Sequence, residues 1–149
     1  MYRSLVPGES MRDTRRVLVI DDSTAICLVV EALLRKCGFE NVETVQNGKA
    51  ALDRVRLSAF DFILCDWEME PMNGLQVLDR LRRHPKTRAI PFILMSAKKE
   101  PRWVVEALEA GANCLIAKPF DAAKLRAKID QFCGISASDA PGQTVEKSH

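Results

Sequence analysis

Residues 17–38 read VLVIDDSTAICLVVEALLRKCG, and the hydrophobic period changes part-way along them. Val17, Leu18, Val19 and Ile20 are apolar without a break, as a short strand buried on both faces requires. After Asp21, Asp22 and Ser23 the apolar residues recur at Ile26, Val29, Val30, Leu33 and Leu34, the i, i+3, i+4, i+7, i+8 spacing of one helical face. Gly38 suits the stop. A doubly buried strand leading into an amphipathic helix is the first half of a crossover between parallel strands.

The alternation occurs five times, without an accompanying sequence repeat. Residues 42–45 predict a second strand, Asn47-Gly48 a turn, and Ala51, Leu52 and Val55 the inner stripe of a short helix. Phe62-Ile63-Leu64-Cys65 predicts the third strand, and Gly74 opens a loop into a helix carrying Leu75, Leu78 and Leu81 that stops at Pro85. Phe92-Ile93-Leu94-Met95 is the fourth strand. Pro101 then fits the first turn of a helix whose expected inner stripe is Val104, Val105 and Leu108, with Gly111 just past its end. Residues 114–117 predict the fifth strand, and Asp121 caps a last helix that turns Leu125, Ile129, Phe132 and Cys133 inward and Lys124, Arg126 and Lys128 elsewhere. Five buried strands joined by helices give an α/β fold with a doubly wound, five-stranded parallel sheet.

The chain has 149 residues, enough for one domain and too few for a second folded output domain. Residues 1–14 read as a flexible N-terminal extension, 15–134 as the domain, and 135–149, rich in Ser, Ala and Gly, as a flexible tail. Apolar residues at 47% and charged ones at 28% are those of a soluble globular protein. The net charge of +2 is too small to imply nucleic-acid or membrane binding, so any electrostatic function is local. Cys27, Cys37, Cys65, Cys114 and Cys133 form no C-x-x-C pair and read as reduced packing residues. With His84 and His149 the only histidines, structural zinc and His-based catalysis are disfavoured. The longest apolar run, 25–30, is closed by Glu31, so a cytoplasmic location is expected.

Ligands of such sheets bind at the carboxyl ends of the strands. There the sequence places Asp21 and Asp22 after the first strand, Asp66 after the third, Ser96 after the fourth and Lys118 after the fifth. Carboxylates about 4 Å apart repel by several kcal/mol at an effective dielectric near 20, so something must neutralise them. A raised pKa is one route and a hard divalent cation the other; the all-oxygen set favours octahedral Mg2+. With that charge offset, Asp66 can act as a nucleophile toward phosphorus, while Lys118 and the Ser96 hydroxyl hold phosphoryl oxygens. Singly, Asp22-Ser23 is an ordinary helix cap, Lys118 a surface lysine and Ser96 a turn hydroxyl. Five such residues at four strand ends make the functional reading the better one.

Together, VLVIDDS, ILCDWEMEPMNGL, ILMSAKKE and EAGANCLIAKPF resemble a response-regulator receiver domain of two-component, phosphorelay signalling, of the stand-alone, chemotaxis-regulator-like kind. The resemblance runs from about Arg16 to Gly134 and implies a flavodoxin-like (βα)5 fold with strand order 2-1-3-4-5. It implies Asp66 as phosphoacceptor and Mg2+ held by Asp21, Asp22, Asp66 and the backbone carbonyl of Glu68. It makes Ser96 and Lys118 the switch pair and Lys118-Pro119 often a cis bond. It also implies a histidine kinase or phosphotransfer protein as donor, and a downstream target protein met through the helix 4/strand 5/helix 5 face. The protein is then a monomer or a phosphorylation-dependent dimer, without nucleic-acid or membrane partners. Self-phosphorylation from small donors and self-dephosphorylation are the only chemistry expected, not enzymatic turnover.

Three positions depart from the family. Glu70 stands where a proline is usual and Pro71 follows it; Leu115 replaces the aromatic of many members; and Glu68 occupies a position that influences loss of the acyl phosphate. Glu68 either orients attacking water or pairs with Lys98. Trp103, with Lys98, Lys99 and Leu115 near the signalling face, serves either packing or binding. Alternatives are an unphosphorylated receiver-like interaction module, a Mg-dependent aspartyl-phosphate phosphatase, a flavodoxin-like redox protein, and nucleic-acid binding through Arg80, Arg82, Arg83, Lys86 and Arg88. Two aspartates would repel a flavin phosphate, a halo-acid-type phosphatase needs Asp where Glu68 stands, and the basic run suits the C-terminal end of a helix.

Overall fold

A computed structural model describes residues 12–134. Five strands, β1 (Asp13–Ile20), β2 (Phe39–Val45), β3 (Phe62–Asp66), β4 (Phe92–Ser96) and β5 (Cys114–Ala117), alternate with five helices. The helices are α1 (Thr24–Lys36), α2 (Gly48–Leu57), α3 (Gly74–Arg82), α4 (Pro101–Glu109) and α5 (Ala122–Cys133). All the strands are parallel, in the order β2-β1-β3-β4-β5. β1 and β2 begin earlier than their apolar runs, and β1 starts inside the stretch expected to precede the domain; its register shifts between Asp13 and Arg16. The flexible extension and tail expected for residues 1–11 and 135–149 lie outside the described residues.

Alternation along each strand divides the core into two layers. Leu18, Ile20, Ile63, Cys65, Phe92 and Leu94 pack with Ala51, Val77, Leu78, Leu81 and Ala107 of α2, α3 and α4. Val17, Val19, Phe62, Leu64, Ile93 and Met95 pack with Val30, Leu34, Leu125 and Ile129 of α1 and α5 on the other face. Gly38, at φ 104°, ends α1 in the left-handed region, which a side chain disfavours.

Several local expectations shift. Asn47 is the N-cap of α2 rather than part of a turn, its side chain accepting from the Ala50 N–H at 2.7 Å, and Gly48 is the first helical residue. Gly74 is likewise inside α3, behind a capping box of Asn73 and Gln76, and α3 closes at Arg82, ahead of Pro85. In α1 the buried stripe is Cys27, Val30 and Leu34, whereas Val29 is 54% exposed. In α4 the expected stripe faces solvent: Val104, Val105 and Leu108 are exposed, and Ala107 is buried with Trp103 and Ala110 alongside. Arg126 reaches from α5 toward β1 and the end of α1, with Nη1 3.5 Å from the buried Asp13 carboxylate and bonded to the Cys37 carbonyl at 3.2 Å. All five cysteines are free thiols and four are buried. Among the described residues no helix is long and apolar enough to cross a membrane.

Candidate functional site

Parallel pairing sets the strand ends side by side. Ile20 is level with Cys65, Asp66 with Met95 and Ser96 with Ala117, so the next polar residues gather at one edge of the sheet. Asp66 is the last residue of β3 and buried; Asp21 follows β1 and is buried, and Asp22 beside it is exposed. One carboxylate oxygen from each of these three lies within 4.8 Å of the others. Lys118, just after β5, donates from Nζ to Asp66 Oδ1 at 2.6 Å and to Asp21 Oδ2 at 3.4 Å. The start of α1 holds the remaining geometry: Asp21 Oδ1 accepts from the Ser23 N–H at 3.0 Å, and Ser23 Oγ accepts from the Ile26 N–H at 3.2 Å. The Cys27 thiol donates to the Asp21 carbonyl at 3.3 Å. The loop after β3 closes against the site through the Gly74 N–H to the Trp67 carbonyl, 2.9 Å. A Cβ on Gly74 would lie 2.5 Å from the Asp66 carbonyl oxygen, so that approach demands glycine. Glu70-Pro71 and Lys118-Pro119 are both cis.

Burial pushes the Asp66 carboxyl up to about 6, with Asp21 and Glu68 adding to the rise and Lys118 opposing it. For Lys118, burial favours the neutral amine, yet the hydrogen bonds and attraction of Asp66 and Asp21 outweigh it and raise its pKa. The ammonium compensates only part of three carboxylates, and the donors are hard oxygens. Such a set fits Mg2+ and offers nothing to a soft metal.

Ser96 is fully buried at the end of β4, and its hydroxyl is engaged by residues of two loops. It accepts from the Lys98 N–H at 3.0 Å and donates to Glu68 Oε2 at 3.1 Å. Lys98 Nζ stands 3.7 Å from that same oxygen, so Glu68 makes the pair with Lys98. The sequence signalled neither the Glu68–Ser96 bond nor the packing of Trp103 edge-on to Trp67, at 5.5 Å between ring centroids and 88° between planes. Both join residues from different loops, and no periodicity carries them. Of the basic run near the end of α3, Arg82 turns inward to the Gly111 carbonyl at 3.1 Å and Arg83 pairs with Asp79 at 2.9 Å, which breaks up a continuous cationic face.

Comparison with known proteins decides the family. The family model described as response regulator receiver domain matches residues 17–130. The chain belongs to the response-regulator receiver family. Among curated receiver proteins, chemotaxis protein CheY-3 of Vibrio cholerae serotype O1 is 34% identical over 117 residues, which are 78% of this chain and 90% of that protein. Chemotaxis protein CheY of Pseudomonas aeruginosa is 31% identical over 117 residues, 78% of this chain and 94% of that one. Among solved receivers, V. cholerae CheY4 superposes with a TM-score of 0.74 at 27% identity, covering 80% of this chain and 98% of its own. The receiver domain of the P. aeruginosa sensor histidine kinase PA1611, solved with a magnesium ion coordinated in its active-site cleft, gives 0.73 at 27% identity, covering 82% and 99%. As a receiver, the chain is a two-component signalling domain with an acidic pocket at its sheet edge.

Proposed function

We propose that the protein is a phosphorylation-dependent switch in which Asp66 accepts a phosphoryl group from a histidine kinase or phosphotransfer protein. The single observation that supports it most is the arrangement of Asp66 itself: a buried carboxylate with Lys118 Nζ at 2.6 Å, grouped within 4.8 Å with Asp21 and Asp22. Asp66 Oδ attacks the donor phosphorus, the P–N bond of the phosphohistidine breaks, and the imidazole leaves with the electron pair. Asp21, Asp22, the second oxygen of Asp66 and the Glu68 carbonyl would hold Mg2+. The bound ion would supply positive charge to a phosphoryl oxygen as the group transfers. Lys118 leaves its bond to Asp66 for a second oxygen, and the Ser96 hydroxyl donates to a third. The carboxylate pair that remains, Asp21 with Asp22, is too acidic an environment for a flavin phosphate and suits a cation.

The output follows from where Ser96 lies. It ends β4, immediately before the loop into α4, so drawing its hydroxyl toward Asp66 shifts that loop and the surface of α4, β5 and α5. Exposed Val104, Val105 and Leu108 on α4 give that surface apolar contact area for a target protein. The chain acts as a switch rather than by turnover, from the cytoplasm, as a monomer or a phosphorylation-dependent dimer.

The test is incubation of the full chain with Mg2+ and a small phosphodonor such as acetyl phosphate, read by intact mass. One phosphoryl group per chain is expected in the wild type and none in Asp66→Asn. A wild type unlabelled by any donor, or equal labelling of Asp66→Asn, overturns the reading.

A further inference from the structure

The hydroxyl of Ser96 is committed to partners outside the acidic cluster. A hydroxyl carries a single proton, and that of Ser96 goes to Glu68 Oε2 at 3.1 Å. Its lone pairs are used by the Lys98 N–H at 3.0 Å, which fixes the rotor in that direction. The side chain of Glu68 is thereby tied to a fully buried group at one end. At the other it meets Lys98 Nζ at 3.7 Å, and that ammonium stands 4.4 Å from the centre of the Trp103 ring. Trp103 in turn packs edge-on against Trp67, the buried neighbour of Asp66. β5 carries Leu115 where many receivers place an aromatic, and in this chain an indole beside Asp66 packs against an indole in the first turn of α4.

We propose that Glu68 is a positioning residue that holds the Ser96 hydroxyl in the resting state, and that its release is relayed through Lys98 to the Trp103–Trp67 pair. This rests on the phosphoacceptor reading above and adds a competitor to it. The hydroxyl cannot donate to Glu68 and to a phosphoryl oxygen at once, so the two acceptors exclude each other. A phosphoryl group on Asp66 also adds negative charge two residues from Glu68, which drives the carboxylate outward while drawing Lys98 toward the pocket. The ion pair of Glu68 with Lys98 is too exposed to hold the side chain by itself; the buried hydroxyl fixes it. When the hydroxyl leaves, Lys98 loses its anchor over Trp103, and the indole contact that seats the start of α4 against Trp67 loosens. The conformational equilibrium is then set by the difference between two acceptors for one proton.

A double-mutant cycle on the full chain tests this, with beryllofluoride as a non-hydrolysable phosphoryl mimic in saturating Mg2+ and affinity read by fluorine NMR. Glu68→Ala removes the competitor and is expected to tighten beryllofluoride binding about three- to tenfold when Ser96 is present. In the Ser96→Ala background the same substitution is expected to give a markedly smaller gain, because the proton being competed for is gone. Equal gains in both backgrounds would mean that Glu68 acts only as a nearby charge, and that result overturns the proposal, as does a Glu68→Ala chain that binds no tighter than wild type. Tryptophan emission reads the relay: the change on adding beryllofluoride should be largely lost in Trp103→Phe and in Lys98→Met, and its survival in both sinks the relay. Binding by the wild type separates the two readings. Without it the phosphoacceptor assignment fails, and with it an additive cycle rejects the Glu68 hold alone.

Discussion

At the scale of single residues, Asp66 shows how a site opposes the fold that carries it. Burial, Asp21 and Glu68 lift its carboxyl to about 6 from an ordinary 3.8, against the pull of Lys118. Because the folded value lies above the unfolded one, ionising Asp66 works against folding: the cost is absent below the ordinary value and complete once the pH has risen past about 6. In the presence of a chelator, wild type should therefore lose about 1–3 kcal/mol relative to Asp66→Asn between about pH 4 and pH 7.5. Paired urea unfolding curves across that range check it, and parallel pH profiles would show that the carboxyl is not strained. The five pocket residues were legible in the sequence because each directly follows or ends an apolar run of strand length, where α/β sheets bind ligands. Glu68 was legible as a position, and Lys98 as one of its two expected roles, but its bond to Ser96 was not. That its carboxylate reaches Ser96 as well as Lys98 depends on how two loops from separate strand ends fold toward each other.

At the scale of elements, α4 is where hydrophobicity and packing part. Val104, Val105 and Leu108 form the more apolar stripe, but the helix sits on its alanine side: Ala107 is buried, with Trp103 and Ala110 next to it. The close approach of the helix to the sheet admits a methyl group there, and the larger side chains are turned outward. Val105→Lys should accordingly change stability by less than about 0.5 kcal/mol, while Ala107→Leu should cost about 1–3 kcal/mol by overpacking. Thermal or urea unfolding of the two variants distinguishes the faces, and the opposite ranking would restore the stripe read from hydrophobicity. The same limit explains α1, in which Val29 is exposed and Cys27 takes an inner place. Periodicity located all five helices, but the angle at which each rolls onto the sheet is set by its neighbours. Glycines mark the closest approaches, and Asn47 and Asn73 were hidden as caps because Asn before Gly reads equally as a turn or a helix start.

At the scale of the whole molecule, residues distant in sequence close the edge of the domain away from the pocket. Asp13 at the start of β1 is buried and accepts from Arg15 at 2.8 and 3.0 Å, and Arg126 of α5 approaches it to 3.5 Å. Burial works against ionisation of Asp13, but its bonds to Arg15 and the attraction of Arg126 outweigh that and hold its pKa below the ordinary carboxylate value. Its contribution is thus complete above the ordinary value and disappears as the pH falls through the lowered one. Asp13→Ala, which removes the buried carboxylate that Arg15 bonds and Arg126 approaches, should cost about 3 kcal/mol near neutral pH, measured by the urea midpoint. A loss below half a kcal/mol would show the cluster to be solvated in effect. The sequence alone determined that five strands alternate with helices, and therefore which chain positions end at the ligand-binding edge, because burial on both faces leaves an uninterrupted apolar run in β1, β3, β4 and β5 that is visible in one dimension, whereas the edge strand β2 is mostly half-buried and carries none. The tertiary structure alone decided how far β1 extends, which faces of α1 and α4 are covered, and that Glu68, Ser96, Lys98 and the two indoles meet. These depend on distances between segments far apart in the chain, which no local pattern of residues encodes.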